Sequence, residues 1–368
     1  PIMANAMRNA VDSARANLTT RALESDALSA RILARSLERD LEDRTEELIR
    51  IAHTPAIRRA AEAAFQQPWP ARKDLLGELE AAMAQVEETR RALGRPRDTS
   101  WFLTDRNGVQ RWREPYDEKT MDRSYKFRDY YLGLNLHANG GSTDDPAIVR
   151  RSHISEAFRS QATQQFMVAI SVPVWDEQGQ RVIGVLARTT HLGELLTDYK
   201  RPISGQSGDE QVTRVIALVD SRDWELLDHP WMTQANLERQ ELLGELRLEP
   251  ALQRRLEQLL DRRRGQQPTI GYDRDDQYAD PVGGFDSEFA GEWLAAFSPI
   301  GETGWLAVVQ ERRSTAQLPV EQMRSDMVRY GLLALLVSGA LIGFLWYFVT
   351  RALGREPDGV LRNGTKTA

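Results

Sequence analysis

The segment Ser124 to Leu134, SYKFRDYYLGL, places one arginine among four aromatic rings. An arginine guanidinium can bind a carboxylate through two parallel N–H···O bonds, while rings supply apolar walls and hydroxyl donors. If the segment runs as a strand, Arg128 and Tyr130 lie on one side, because side chains alternate along a strand. The segment therefore predicts a site for a small organic anion. The alternative interpretation is structural, with Arg128 paired with Asp129 or stacked on Tyr131 at a domain edge.

The acidic stretch YDRDDQYAD is the candidate for a metal site. It has oxygen ligands enough for Ca²⁺, but their order does not match an EF-hand loop, so we interpret it as a solvated loop. Its carboxylates are Asp273, Asp275, Asp276 and Asp280. The histidines lie on unrelated segments without zinc-ligand spacing and are interpreted as structural or surface residues: His53, His137, His153, His191 and His229. We expect no metal and no cofactor.

Motifs of catalysis are absent from the sequence. There is no G-x-S-x-G elbow, no phosphate-binding loop, no glycine-rich kinase loop and no zinc-protease HExxH. Acidic residues are abundant, so a carboxylate pair without a motif is left open. We do not expect an enzyme within this chain.

Composition excludes further classes of protein. The absence of cysteine excludes disulfides, thiolate metal sites and cysteine nucleophiles. The net charge of −6, without a Lys/Arg run, gives no support to a nucleic-acid partner.

One stretch predicts a membrane span. Residues Gly331 to Val349 carry no charged side chain, and as a helix they match a hydrocarbon layer of about 30 Å. Arg329 and Arg351 bracket the stretch, and tyrosines and a tryptophan lie near its ends. We expect residues 1–329 to lie outside the cytoplasmic (inner) membrane of a bacterium and the tail to lie in the cytoplasm.

Apolar periodicity organises the rest of the chain. Residues 25–65 show helical spacing of apolar residues, which predicts a very long helix beginning near the N-terminus. Two β-rich hairpins follow, around Asn107-Gly108 and around Asp176 to Gly179, and the pattern of hairpin, helix and loop, hairpin then repeats after a polar linker. The predicted fold class is α+β, with a long N-terminal helix, two tandem PAS-like antiparallel-sheet modules and one transmembrane helix.

The predicted boundaries follow these patterns. They are a long stalk or dimer helix over 1–70, a first module over 71–200, a second module over 201–313, a juxtamembrane linker over 314–329, the span over 330–350 and a short tail over 351–368.

The arrangement resembles the double Cache family of extracytoplasmic sensor domains, built from two stacked PAS-like modules. The stretches that carry the resemblance are FLTDRNGVQRW, FRDYYLGL, ISVPVWDEQGQRVIGVL and AAFSPIGETGWLAVVQ, and with the leading helix they span residues 25–313. The resemblance implies a ligand sensor whose membrane-distal module, here the first, holds the ligand.

In amino-acid-binding members of that family, an Arg-x-Trp pair binds the ligand carboxylate and an Asp on the last strand of the module binds the ammonium. Arg128 matches the Arg, Tyr130 replaces the Trp, and Thr189 stands at the Asp position. A buried ammonium without a carboxylate partner is costly, so we expect a carboxylate-bearing ligand that needs no amine. His153, with Ser155 and Arg159, can line the same pocket. The predicted ligand-binding residues are Trp112, Tyr125, Arg128, Tyr130, Tyr131, His153 and Thr189.

These observations predict a small-molecule sensor of a bacterial membrane receptor, expected to be a homodimer. Its output domain is expected upstream of residue 1 or in a partner, and a Ser/Thr protein kinase is one candidate, since some similar receptors carry one. Two alternatives are a membrane-tethered protein-interaction module without a free ligand, and a periplasmic enzyme.

Overall fold

The computed structural model describes residues 2–69, 71–133, 148–160, 165–197, 213–237, 246–262, 270–272 and 278–353. The chain divides into two compact units. One comprises residues up to Leu18 and from Ala316 onward, and in it Arg15 forms an ion pair with Glu321. The other is Thr19–Thr315 and contains both predicted modules.

The N-terminal region forms four helices: α1 Ile2–Ala52, α2 Pro55–Ala64, α3 Ala71–Leu75 and α4 Gly77–Ala92. The prediction of one long helix over 1–70 was wrong after residue 52, because the first helix ends at Ala52. Thr54 has an extended backbone (φ −67°, ψ 122°) and Pro55 starts α2. Proline has no N–H for the preceding turn and disfavours a helical conformation in the residue before it, so the helix restarts there.

The first module contains β1 Ser100–Asp105, β2 Gln110–Glu114, α5 Asp129–Leu132, β3 His153–Ile154, β4 Phe158–Arg159, β5 Phe166–Trp175, β6 Val182–His191 and α6 Leu192–Leu195. Its antiparallel sheet has the order β2-β1-β6-β5-β3, and β4 also pairs with β5. The β1–β2 turn contains Gly108 at φ 75°, where a Cβ atom would lie 2.9 Å from the backbone of Lys126. Glycine is therefore required at the predicted Asn-Gly turn.

The second module contains β7 Arg214–Asp220, β8 Leu226–Asp228, α7 Gln234–Leu237, α8 Pro250–Arg262, β9 Ile270–Tyr272, a 3₁₀ helix Pro281–Gly284, β10 Trp293–Pro299 and β11 Trp305–Arg312. Its antiparallel sheet has the order β8-β7-β11-β10-β9. In both sheets the last strand of the module pairs with the first, so the two modules repeat one topology.

Helix α1 packs against one face of each sheet, which we call the inner face. Leu37, Leu41 and Leu48 of α1 share a buried core with Trp101 of the first sheet and Val309 of the second. The opposite, outer faces have separate clusters. A ligand on an outer face is thus separated from α1 by the thickness of a sheet.

A buried ion-pair network ties the inner face of the first sheet to α1. The Arg188 guanidinium lies 2.7 Å from the Asp98 carboxylate and 2.8 Å from that of Glu47. Arg44 of α1 also pairs with Asp98 and, at 2.8 Å, with Asp40. Burial raises the pKa of Asp98 to about 6, against the opposing effect of Arg188 and Arg44.

The C-terminal helix α9 spans Arg313–Leu353 without a break. The predicted linker over 314–329 is therefore helical, and Pro319 lies inside the helix near its start. From Arg313 to Arg351 the helix is long and apolar enough to cross a membrane, and its most apolar window is fully exposed.

Candidate ligand site

The outer face of the first sheet carries the candidate site. Cross-strand pairing sets one row of side chains across it, from Arg113 of β2 through Phe102, Ala187 and Ser171 to His153 of β3. Because paired residues in an antiparallel sheet lie on the same face, the ends of this row are an arginine and a histidine, with small or apolar side chains between them.

Arg128 is the residue before α5, and its backbone is extended (φ −81°, ψ 143°). The predicted strand geometry was wrong beyond this residue, because residues 129–132 form a helical turn that ends at Gly133 in the left-handed region. The Arg128 guanidinium lies 5.1 Å from the centre of the Phe127 ring and 5.4 Å from that of Phe158.

Neither structural alternative for Arg128 occurs. Asp129 is buried and accepts hydrogen bonds from the backbone N–H groups of Tyr130 (2.8 Å) and Glu156 (2.6 Å). Tyr131 donates its hydroxyl to the carbonyl oxygen of Arg106. Among the described residues, no carboxylate lies within ion-pair distance of Arg128, so its charge is available to an anion.

Tyr125 and Tyr130 surround this guanidinium. The Tyr130 ring is buried edge-on against Phe102 at 5.2 Å and lies 6.5 Å from Phe158. Burial raises the pKa of both tyrosines, and the positive charges of Arg128 and Arg113 oppose that rise. Both hydroxyls therefore remain protonated at neutral pH and can donate hydrogen bonds to a carboxylate.

Arg113 was missed by sequence reasoning. Its Nε atom is buried and, in the described part of the chain, has no hydrogen-bond partner. The alternation in QRWRE held the signal: if Trp112 faces the core, its neighbour Arg113 must face the other side.

Two predicted site residues do not fit the positions at which the structure places them. Trp112 is fully buried on the inner face, where it donates to a Glu80 carboxylate oxygen at 3.2 Å. Tyr131 is buried, and its hydroxyl is occupied by the backbone of the β1–β2 turn. Trp112 thus lies on the face opposite the candidate site, whereas Tyr131 belongs to the outer-face apolar cluster that contains Phe102 and Tyr130.

Thr189 and His153 lie on the outer face, at the sides of the site. The Thr189 hydroxyl is 2.8 Å from that of Ser100, and the residue is buried. The Nε2 atom of His153 lies 3.6 Å from the Asp129 carboxylate. His153 also lines an acidic cavity of about 790 Å³ at the sheet edge, together with Glu38, Glu42 and other residues of α1 and the β10–β11 turn.

The second module holds a different polar cluster on its outer side. Asp280 is buried, and its carboxylate lies 3.2 Å from His229 Nε2 and accepts a hydrogen bond from the Gln310 amide. Tyr278 donates to the carbonyl oxygen of that amide. The sequence-based interpretation of Asp280 as part of a solvated loop was therefore wrong, because this residue is buried. Asp273, Asp275 and Asp276 lie outside the described residues, as does His137.

In sequence, the chain matches no family model and no curated protein. In structure, it is similar to the extracellular domain of rpHK1S-Z16, described as a histidine kinase, with a TM-score of 0.50 and 14% identity over 80% of this chain and 97% of that one. The ligand-binding domain of the Pseudomonas aeruginosa chemoreceptor PctB, in complex with L-arginine, is similar with a TM-score of 0.42 and 13% identity. The match covers 77% of this chain and 92% of the PctB domain. The sensory domain of the Campylobacter jejuni chemoreceptor Tlp3 is similar with a TM-score of 0.45 and 12% identity. The match covers 83% of this chain and 99% of the Tlp3 domain.

The chain shares the fold of the rpHK1S-Z16 extracellular domain, with two tandem antiparallel-sheet modules on a long helix. This Cache-type fold confirms the fold that the sequence resemblance implied.

Proposed function

We propose that this protein is the extracytoplasmic sensor region of a bacterial membrane receptor and that its first module binds a small carboxylate-bearing ligand at Arg128. The observation that carries the proposal is a guanidinium held between the Phe127 and Phe158 rings without a carboxylate partner among the described residues. An arginine held in this way is pre-organised to receive a planar anion.

The ligand is not required to carry an amine. By the family resemblance, Thr189 stands where a carboxylate would bind the ammonium of an amino acid, and its hydroxyl lies 2.8 Å from that of Ser100. The nearby Asp129 carboxylate accepts two backbone N–H groups. A free α-amino acid would therefore place its ammonium without a charged partner on this face.

The segment from Glu156 to Arg159 is suited to carry a ligand-induced change to the second module. The Glu156 N–H binds Asp129, while its carboxylate lies 3.4 Å from Arg222 of the second module. Phe158 contacts Arg128, and the next residue, Arg159, pairs with Glu225. Movement of Arg128 onto a ligand would shift both ion pairs between the modules. The bound and free states would then differ in their contacts, as a two-state response requires.

Transmission across the membrane would use α9, which begins directly after the last strand of the second module. One candidate membrane helix and an extracellular-domain fold fit a receptor of this type.

Calorimetric titration of the full chain in detergent micelles tests the proposal. The probes are propionate, butyrate, succinate, free α-amino acids and alkyl amines, and the variants are Arg128→Gln and, as a control in the same module, the exposed Arg181→Gln of the β5–β6 turn. We expect at least one carboxylate to bind wild type and Arg181→Gln but not Arg128→Gln. At about a hundred times its dissociation constant, it should also add about 2.7 kcal/mol to the free energy of unfolding.

Binding that survives Arg128→Gln would contradict the site, and stoichiometric binding of an unmodified α-amino acid would contradict the ligand class.

A specific observation favours one alternative, a protein-interaction module. Leu28 and Ile32 lie one turn apart on α1 and are each 55% exposed, whereas the neighbouring apolar residues Ala30 and Leu33 are buried. Such a pair suits a second copy of the chain, and the expected homodimer would use it. If no probe binds and Leu28→Ser/Ile32→Ser converts a dimer to a monomer in light scattering, the interaction module becomes the better description.

A further inference from the structure

In the part of the chain that the structure describes, two arginines rather than one face the candidate site without an ion-pair partner. The Arg128 guanidinium lies near two aromatic rings, and the buried Nε atom of Arg113 has no hydrogen bond among the described residues. A buried donor left without a partner costs about 1–3 kcal/mol, and more when it is charged. A ligand that satisfies both guanidiniums would recover that cost.

Tyr130 lies between the two arginines. Its ring packs on Phe102, the direct cross-strand partner of Arg113, at 5.2 Å. On its other side it approaches the Phe158 ring, which in turn contacts Arg128. Both positive charges act on the Tyr130 hydroxyl, so the two guanidiniums share one side of the site. Two cations beside one tyrosine favour a ligand with two anionic groups over one with a single anionic group.

The carboxylates around the site do not cancel these charges. Asp129 is occupied by two backbone N–H groups, and Asp117 accepts the N–H of Lys119 in an exposed turn. Neither lies within ion-pair distance of the two arginines in the part of the chain that the structure describes. Both positive charges act on the hydroxyls of Tyr125 and Tyr130.

We propose that the ligand of this site is a short dicarboxylate, with one carboxylate bound by Arg128 and the other by Arg113. The inference rests on the proposed function, since it requires Arg128 to bind a carboxylate. Arg113 is then the residue that distinguishes a diacid from a monoacid, because a monoacid bound at Arg128 leaves the buried Nε atom of Arg113 without a hydrogen bond.

The test compares acids of equal carbon number on the full chain in detergent micelles. Malonate, succinate and glutarate are titrated against propionate, butyrate and pentanoate on wild type, Arg113→Gln, Arg128→Gln and the exposed-arginine control Arg181→Gln. We expect the best diacid to bind wild type at least about tenfold more tightly than its monoacid, the ratio that a charge-assisted hydrogen bond of about 1.4 kcal/mol would give.

The variants separate the two arginines. Arg113→Gln should bring the diacid to the affinity of the monoacid and leave the monoacid unchanged, while Arg128→Gln should weaken both. Thermal unfolding of each variant without ligand shows whether it is folded.

Each remaining outcome is decisive. Equal affinities for diacid and monoacid, or a diacid affinity that Arg113→Gln does not change, would overturn the dicarboxylate assignment and leave the Arg128 site standing. Inorganic phosphate binding more tightly than every diacid would show that both arginines hold one anion, which also overturns it. No binding of any acid to wild type would overturn this inference together with the proposed function.

Discussion

The two modules share one strand order but fill their outer faces differently. In the first, Arg113 and Arg128 have no carboxylate partner among the described residues. In the second, Arg312 stacks on Trp293 at 4.6 Å and donates to backbone carbonyl groups of Glu288 and Ala290. A buried cation whose donors are satisfied within the module stabilises it, whereas one whose donors are open is available to a ligand.

The same contrast holds for the buried acids. Asp280 in the second module is enclosed by His229, Gln310 and the N–H of Val282. A network in which every member has a partner fixes a unique core. One fold can therefore serve as a ligand module or as a support, depending on whether the polar groups of its outer face satisfy one another.

Among the tests of this contrast, removal of the Asp280 carboxylate is expected to have the largest effect on stability. Asp280→Ala leaves the His229 ring, the Gln310 amide and the Val282 N–H without their acceptor, so we expect a loss of about 3 kcal/mol in the free energy of unfolding. Urea denaturation measures it, with Asp286→Ala as a control, because Asp286 caps a partly exposed turn. A stable Asp280→Ala variant that has lost carboxylate binding would show that the second module, and not the first, binds the ligand.

The attachment of each module to α1 gives a second test. Asp26 of α1 is fully buried, with its Oδ1 2.6 Å from Arg214 of the second module. Burial raises the pKa of Asp26 from 3.8 to about 7, Arg214 opposes this and the nearby Glu311 adds to it. Because the pKa of Asp26 is raised in the folded state, its protonation stabilises the fold. This contribution to the free energy of unfolding is complete below about pH 4 and is lost as the pH rises through about 7.

The Asp26→Asn substitution gives a side chain that is neutral at every pH. This variant should therefore lose the pH dependence of stability that Asp26 causes. We expect its free energy of unfolding to approach that of wild type near pH 4 and to exceed it by roughly 2 kcal/mol above pH 8. Denaturation at several pH values measures the difference. If Asp26→Asn is instead less stable at pH 8, the ion pair with Arg214 outweighs the cost of burying the charge.

The smallest effect is expected at the candidate site itself. Arg128 makes ring contacts but no ion pair in the described structure, so Arg128→Gln should change the free energy of unfolding by less than about 1 kcal/mol. Thermal unfolding without ligand measures it, and Arg188→Gln, which breaks buried ion pairs on the inner face, provides the contrast. A loss of several kcal/mol in Arg128→Gln would show that this arginine is structural.

The sequence by itself determined the repeated modules, the Asn-Gly hairpin and the apolar C-terminal helix. These depend on local signals, such as the alternation of apolar residues, the backbone freedom of Gly108 and the length of an uncharged run. The sequence also singled out Arg128, because an arginine among rings is unusual in any structure.

Only the tertiary structure decided which side chains share a face. Trp112 and Arg113 are neighbours in the chain, yet the inner face buries the first and the outer face presents the second. Asp129, adjacent to Arg128, was its ion-pair partner in the alternative, structural interpretation, but α5 turns it toward the N–H of Glu156. The alternation in QRWRE places these two side chains on opposite faces, but which of them faces the core, and where Asp129 binds, depends on contacts between residues that are distant in sequence.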